Sequence, residues 1–164
     1  MKRYLVNLMM TVMFASLVGC GFQLRSSADL ADSLKTMYVQ GIDLSRGVGK
    51  SLNRGLKFNG VNVLESYEEG ASILTILEHK IDRRVLSVGG NAKVSEYELH
   101  GVIRYQVTDD KGEVISKAQS VEAYRDYRFD ENQVLAKAEE EEQLRDELEQ
   151  QLIQSLLRRL SALK

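Results

Sequence analysis

The 164-residue chain has one cysteine, two histidines, and neither tryptophan nor proline. A lone cysteine excludes an internal disulfide and a cysteine cluster for a metal, so packing alone must hold the fold. His79 and His100 both fall on expected strands without an Asp/Glu pair at ligand spacing, which is a poor basis for a metal site. Basic charge is not in excess either. Twenty-two Lys and Arg stand against 24 Asp and Glu, a formal net charge of −2, which disfavours a nucleic-acid-binding protein of the usual basic kind. No serine lies in a G-x-S-x-G context. Gly49-Lys50-Ser51 ends like a phosphate-binding loop, but the glycine required five residues earlier is Leu44. These gaps leave no support for catalysis or for a cofactor, and point to binding or assembly.

Hydrophobic residues make up 43% of the chain and charged ones 28%, the balance of one globular domain rather than a disordered chain. The one long apolar run is N-terminal. Lys2 and Arg3 precede "YLVNLMMTVMFASLVG", which reads as the basic start and apolar core of a secretory signal. Leu17-Val18-Gly19-Cys20 then resembles the lipobox of bacterial lipoproteins; the competing reading is a core cysteine in a stray apolar segment. The resemblance implies cleavage before Cys20, with diacylglycerol on its sulfur and an acyl group, palmitoyl by expectation, on its nitrogen. One acyl chain anchors only marginally, whereas three on one residue hold firmly. Gly21, where an aspartate would mark retention in enterobacterial sorting, points to the outer membrane. Cys20 is therefore expected to be an anchor without thiol chemistry. Loss of residues 1–19 would leave 20 basic against 24 acidic residues. The expected organisation is a signal peptide at 1–19, a lipid-anchored tether at 20–34 and a single α+β domain at 35–164.

"KTMYVQG" (35–41) reads as a short strand. Asp43 is expected to cap a helix in which Leu44, Val48, Leu52 and Leu56 recur every fourth residue, with Arg46, Lys50, Arg54 and Lys57 on another face. Gly60 suits the left-handed stop of that helix. Residues 61–66 read as a second strand and 72–88 as a third. After "GGNAK", a hairpin turn, Tyr97, Leu99, Gly101, Ile103, Tyr105 and Val107 alternate with polar residues. "DDKG" (109–112) turns the chain into a strand from 113 to about 129, completing an antiparallel meander. A long helix follows, capped by Asp130 or Asn132, with Leu144, Leu148, Leu152, Leu156 and Leu160 as its buried stripe. Its Glu139–Glu142 run lacks the glycine and spacing of a calcium loop and reads as a solvated face. The order β-α-β-β-β-β-α argues for a two-layer α+β sandwich: a largely antiparallel or mixed four-stranded sheet with two helices on one face.

Basic side chains near the sheet are the candidate binding residues. Lys80 and Arg84 share one strand face, Lys93 lies by the hairpin turn, and Arg125, Arg128 and Lys137 cluster in sequence. Arginine offers phosphate a bidentate fork and lysine a point charge, so such positions suit an anionic glycolipid.

"CGFQLR" after the lipobox, "RGLKFNGV" at 54–61, "SEYELH" at 95–100 and "YRFDENQVLAKAEEEEQLRDELEQQLIQSLLRRL" at 127–160 together resemble the LPS-assembly lipoprotein LptE family. The resemblance implies an outer-membrane lipoprotein that plugs the LptD β-barrel in a 1:1 complex, supports its assembly and binds lipopolysaccharide. It would then face the periplasm and sit inside the partner barrel. The lysine of the Ala-Lys pair opening the family's final helix, a lipopolysaccharide contact by resemblance, falls on Lys137. The family's turn arginine has no counterpart in Val88-Gly89-Gly90-Asn91-Ala92-Lys93, where Lys93 or Arg84 could substitute. The alternatives are a purely structural subunit without lipid ligand, or a periplasm-facing carrier of small apolar ligands.

Overall fold

The computed structural model describes residues 30–90 and 92–163. Cys20, Gly21, the signal segment, and Asn91 and Lys164 lie outside them. Leu30 and Leu34, assigned above to the tether, are both buried in the core, joined by a 3₁₀ turn at Asp32–Leu34. The pair sits four residues apart on one side of that turn, so the fold already includes Leu30 instead of starting at 35.

Strand β1 (Thr36–Gln40) buries Met37 and Val39 on alternate positions. Helix α1 (Gly47–Phe58) starts later than Asp43, which does not cap it. The Asp43 carboxylate instead accepts the Ser45 amide at 2.9 Å and the Ser45 hydroxyl at 2.6 Å. That closes a local turn, the alternative to helix that aspartate offers the backbone. Leu44 is left partly buried ahead of the helix, while Val48, Leu52 and Leu56 form its buried stripe. The helix stops as expected at Gly60, whose φ of +80° is costly for any residue with a Cβ.

Strand β2 (Asn62–Leu64) has only three residues, yet it pairs in parallel with β1, Thr36 against Asn62. The expected four-stranded sheet therefore has five strands. The β1-α1-β2 crossover brings the short segment back alongside β1, and its pairing needs no alternating pattern to be visible in so few residues. β3 (Ser72–Val88), β4 (Val94–Thr108) and β5 (Val114–Arg128) form the antiparallel meander, and β1 runs parallel to β3. The sheet order is β2-β1-β3-β4-β5. Bulges fall near Leu77 and Leu86 on β3, where the register shifts against β4.

A 3₁₀ turn at Glu131–Gln133 leads into helix α2 (Val134–Leu160). The Asp130 carboxylate accepts the Asn132 amide at 2.9 Å at the head of that turn. Asp130→Ala is expected to cost about 1 kcal/mol and to lower the melting temperature by roughly 2–4 °C. A thermal melt followed by circular dichroism checks it; an unchanged midpoint would mean the cap contributes nothing. Leu148, Leu152, Leu156 and Leu160 lie fully buried between α2 and the sheet. Close approach comes from two glycines. A Cβ on Gly101 of β4 would stand 2.7 Å from Leu148 and 2.8 Å from Leu152, and one on Gly55 of α1 would stand 2.7 Å from Leu157. Both helices thus cover one face of the sheet and pack on each other, leaving the other face bare among the described residues.

Candidate functional site

Toward the β3–β4 turn the apolar cover gives way. Val85, Leu86 and Val88 are exposed there, and so are Val134 and Leu135 at the start of α2, with Leu135 at 84%. Two contacts tie these segments together at one pole. The Phe129 amide donates to the Ser95 carbonyl at 3.0 Å, and the Lys93 ammonium meets Glu131 at 2.7 Å. An open cleft of about 360 Å³ lies between the turn and the β5–α2 junction, lined by Gly89, Lys93, Ser95, Phe129 and Asn132 among others. Within the turn the Ala92 amide donates to the Gly89 carbonyl, and Ala92 takes a φ of +61°, a left-handed conformation costly for a non-glycine residue.

Behind the pole stands a polar lock. Register puts Arg83 opposite Leu99, on the helix-covered face. Its guanidinium lies 4.5 Å from the Tyr97 ring centre and donates to Glu141 of α2 at 2.8 Å. The Tyr127 hydroxyl donates to the same Glu141 oxygen at 2.5 Å, and Arg145 donates twice to the other, at 2.7 and 3.0 Å. Burial alone would push the Glu141 carboxyl up, but bonds from Tyr127, Arg145 and Arg83 hold it down at about 2. Burial and the bond to Glu141 push Tyr127 up to about 12. Glu141, with its side chain only 15% exposed, is therefore not the solvated residue expected of the glutamate run. It fastens the first turns of α2 to two strands, β3 and β5, and only the long-range register could have revealed that.

The bare face carries a second network. Arg84 donates to Nδ1 of His100, so that nitrogen is the acceptor and Nε2–H donates to Glu122 at 3.0 Å. The Tyr124 ring stacks on His100 at 4.5 Å and its hydroxyl donates to Glu122 at 2.8 Å. That bond first, then the one from His100, lowers the Glu122 carboxyl below its ordinary range. His79, on the covered face, is different. Its Nε2 is buried with no hydrogen-bond partner, Glu149 stands 3.9 Å away, and burial pushes the imidazole down and the carboxyl up. Among the described residues no three His, Cys, Asp or Glu groups gather as metal ligands.

The four candidate cations divide between these surroundings. Lys93 and Lys137 stand at the pole, Lys137 with its side chain 19% exposed and 2.7 Å from Glu140. Lys80 and Arg84 lie together on the bare face, as their spacing requires. Lys80 is flanked by Glu78 at 3.5 Å and Asp82 at 3.3 Å, and Arg84 by Glu98 and His100. Arg125 and Arg128, grouped with Lys137 in sequence, point to opposite faces, with Arg125 toward Glu147 of α2 and Arg128 toward Glu96. The exposed apolar residues around the pole were missed because the sequence pattern assigned them to strand and helix interiors. Cys20 lies outside the described residues.

A βαβ entry, an antiparallel meander and two helices on one face, with cations and apolar side chains at the hairpin end, define a class of small two-layer α+β domains. A family model described as LptE, lipopolysaccharide-assembly, matches residues 34–160. The chain is 24% identical over 160 residues to the LPS-assembly lipoprotein LptE of Photorhabdus laumondii, covering 98% of this chain and 87% of that protein. With the LPS-assembly lipoprotein LptE of Pectobacterium atrosepticum it shares 25% over 161 residues, covering 98% and 86%. Among solved structures, lipoprotein B of Nitrosomonas europaea superposes with a TM-score of 0.73 at 26% identity, over 87% of this chain and 91% of that one. A minor lipoprotein of Acinetobacter baumannii gives 0.65 at 25% identity, over 78% and 91%. The chain belongs to the lipopolysaccharide-assembly LptE family. None of the described helices is long and apolar enough to cross a membrane.

Proposed function

We propose that this chain is an outer-membrane lipoprotein, held through acyl groups on Cys20, that plugs and helps assemble the LptD β-barrel and binds lipopolysaccharide at its hairpin pole. The observation that carries the ligand is the juxtaposition of Lys93 and Lys137 with exposed Val85, Leu86, Val88, Val134 and Leu135. An amphiphile with anionic phosphates beside acyl chains needs that pairing of charges with apolar surface. Lys93 and Lys137 are ion-paired in the free chain. The exposed Lys93–Glu131 pair is worth only about 0–1 kcal/mol, so exchanging its carboxylate for a phosphate costs little, while Lys137 is more enclosed beside Glu140. The lysines would compete with divalent cations for lipid phosphates and loosen lipopolysaccharide aggregates. Lys80 and Arg84 fit this reading less well, being held between carboxylates on the bare face. Lys93, rather than Arg84, is thus the substitute for the family's turn arginine.

The test is a lipopolysaccharide capture assay on the acylated chain co-expressed with its barrel. Lys93→Asp combined with Lys137→Asp is expected to lower capture at least about tenfold, the effect of losing two charge-assisted phosphate contacts, while the barrel complex persists. Lys80→Asp is expected to change nothing. Undiminished capture by the double variant would exonerate both lysines, and wild-type protein that forms the complex without capturing lipopolysaccharide would favour a purely structural subunit.

A further inference from the structure

Helix α1 has an outer face that the hairpin pole does not use. Its sequence, GVGKSLNRGLKF, contains no acidic residue. Lys50, Arg54 and Lys57 recur at i, i+4 and i+7, which on a helix is one stripe, opposite the buried Val48, Leu52 and Leu56. All three are exposed, and none takes part in an ion pair among the described residues. That separates them from Lys80, Arg84, Lys93 and Lys137, each of which faces a carboxylate. Phe58 closes the helix beside Arg54 and is 79% exposed, a large apolar side chain that nothing among the described residues covers.

The stripe is also at the anchored end of the domain. The Asn62 amide donates to the Lys35 carbonyl at 2.7 Å, so the start of β1 lies against the segment that follows Phe58. Leu30, where the described chain enters, is ten positions after Cys20. Ten residues span at most about 35 Å. We propose that Lys50, Arg54, Lys57 and Phe58 form a docking face for an anionic phospholipid surface, on which the domain leans once its N-terminus is lipid-held and before the barrel encloses it. The proposal rests on the anchoring of Cys20 stated above. Cations on one helix face with an aromatic at the edge match the chemistry of a headgroup layer, charge outside and hydrocarbon within. A second protein with an acidic wall is the competing occupant, and the test separates the two.

The chain has no tryptophan, so Phe58→Trp supplies a single reporter at the proposed contact. The full acylated chain carrying Phe58→Trp is reconstituted into vesicles of phosphatidylcholine alone and of phosphatidylcholine with phosphatidylglycerol. In the anionic vesicles the expected result is a blue-shifted emission that brominated acyl chains quench. Lys50→Glu, Arg54→Glu and Lys57→Glu together should abolish both changes, as should 1 M salt, where screening acts within about 3 Å. An emission identical in both vesicles and untouched by brominated chains overturns the proposal. So does retained quenching in the triple variant. If the triple variant instead weakens co-purification with a protein partner while the vesicles give no shift, the acidic wall is the occupant. Flotation reads the anchor separately. Acyl chains hold the protein on neutral vesicles in high salt, whatever α1 does. A chain that floats there without quenching keeps the anchor and loses the docking face, whereas one that binds only anionic vesicles, at low salt and with quenching, does the reverse.

Discussion

Replacing Gly101 by valine is expected to destabilise the fold by about 3 kcal/mol and to lower its melting temperature by roughly 6–12 °C. β4 lies in the middle of the meander, and Gly101 faces Leu148 and Leu152 where α2 crosses it. Even a Cβ would come within 2.7 and 2.8 Å of their methyl groups, and a valine adds two further carbons in the same space. The leucines have little room to yield, since both are fully buried and both belong to the continuous core. Lifting α2 to make room would open a gap along the whole Leu148–Leu160 stripe, so strain at one position spreads down the helix. Thermal and urea unfolding measure the loss. A melting temperature within about 2 °C of wild type would show that α2 does not seat on Gly101 as described.

Glu141→Gln is expected to cost about 2–3 kcal/mol at neutral pH, because Arg83 and Arg145 keep their charge and lose the carboxylate between them. The size of the effect depends on acidity in a definite direction. The Glu141 carboxyl is held at about 2, well below its ordinary 4.5, so its contribution is complete above about pH 4.5 and fades as the pH falls toward 2. Wild type should therefore lose stability through that window while the glutamine variant follows a flatter course, and the two should converge near pH 2. Tyr127 gives the opposite limb. Its hydroxyl is held up at about 12, so its share is present below pH 10 and is lost as the pH rises toward 12. Tyr127→Phe should remove that alkaline loss. Urea unfolding at a series of pH values reads both, and parallel curves for wild type and Glu141→Gln would refute the role given to the carboxylate.

Much of the architecture was readable before the structure because it is written in local periods. The leucines from 144 to 160 repeat at helical spacing, and the alternation around Leu99 to Val107 needs only a period of two. The errors arose where length or distance weakens such patterns. Residues 61–66 read as a strand, but nothing local places so short a segment beside β1, so a sheet of four strands was expected in place of five. Asp43 looked like a helix cap because an aspartate before an apolar stripe usually is one. Whether its carboxylate turns to Ser45 or to a helix amide depends on a backbone path that no spacing encodes. Glu141 belongs to a run of four glutamates that are alike in one dimension. Only register and helix docking single it out, by bringing Arg83 and Tyr127 from two strands onto one carboxylate. The candidate cations were identifiable by type, and Lys80 with Arg84 also by their shared strand face, but the wider grouping was not. Their division into a pole and a bare face depends on which way each strand residue points, and the bulge near Leu77 resets that count along β3.

The hairpin also has a length with consequences. β3 has 17 residues, roughly 55 Å of extended chain, and it begins beside β1, at the end where the chain enters. The hydrocarbon layer of a bilayer is only about 30 Å thick. On the function proposed above, β3 is long enough to carry the hairpin turn from the tethered end across that thickness. The two ends of one strand would then stand on opposite sides of that layer.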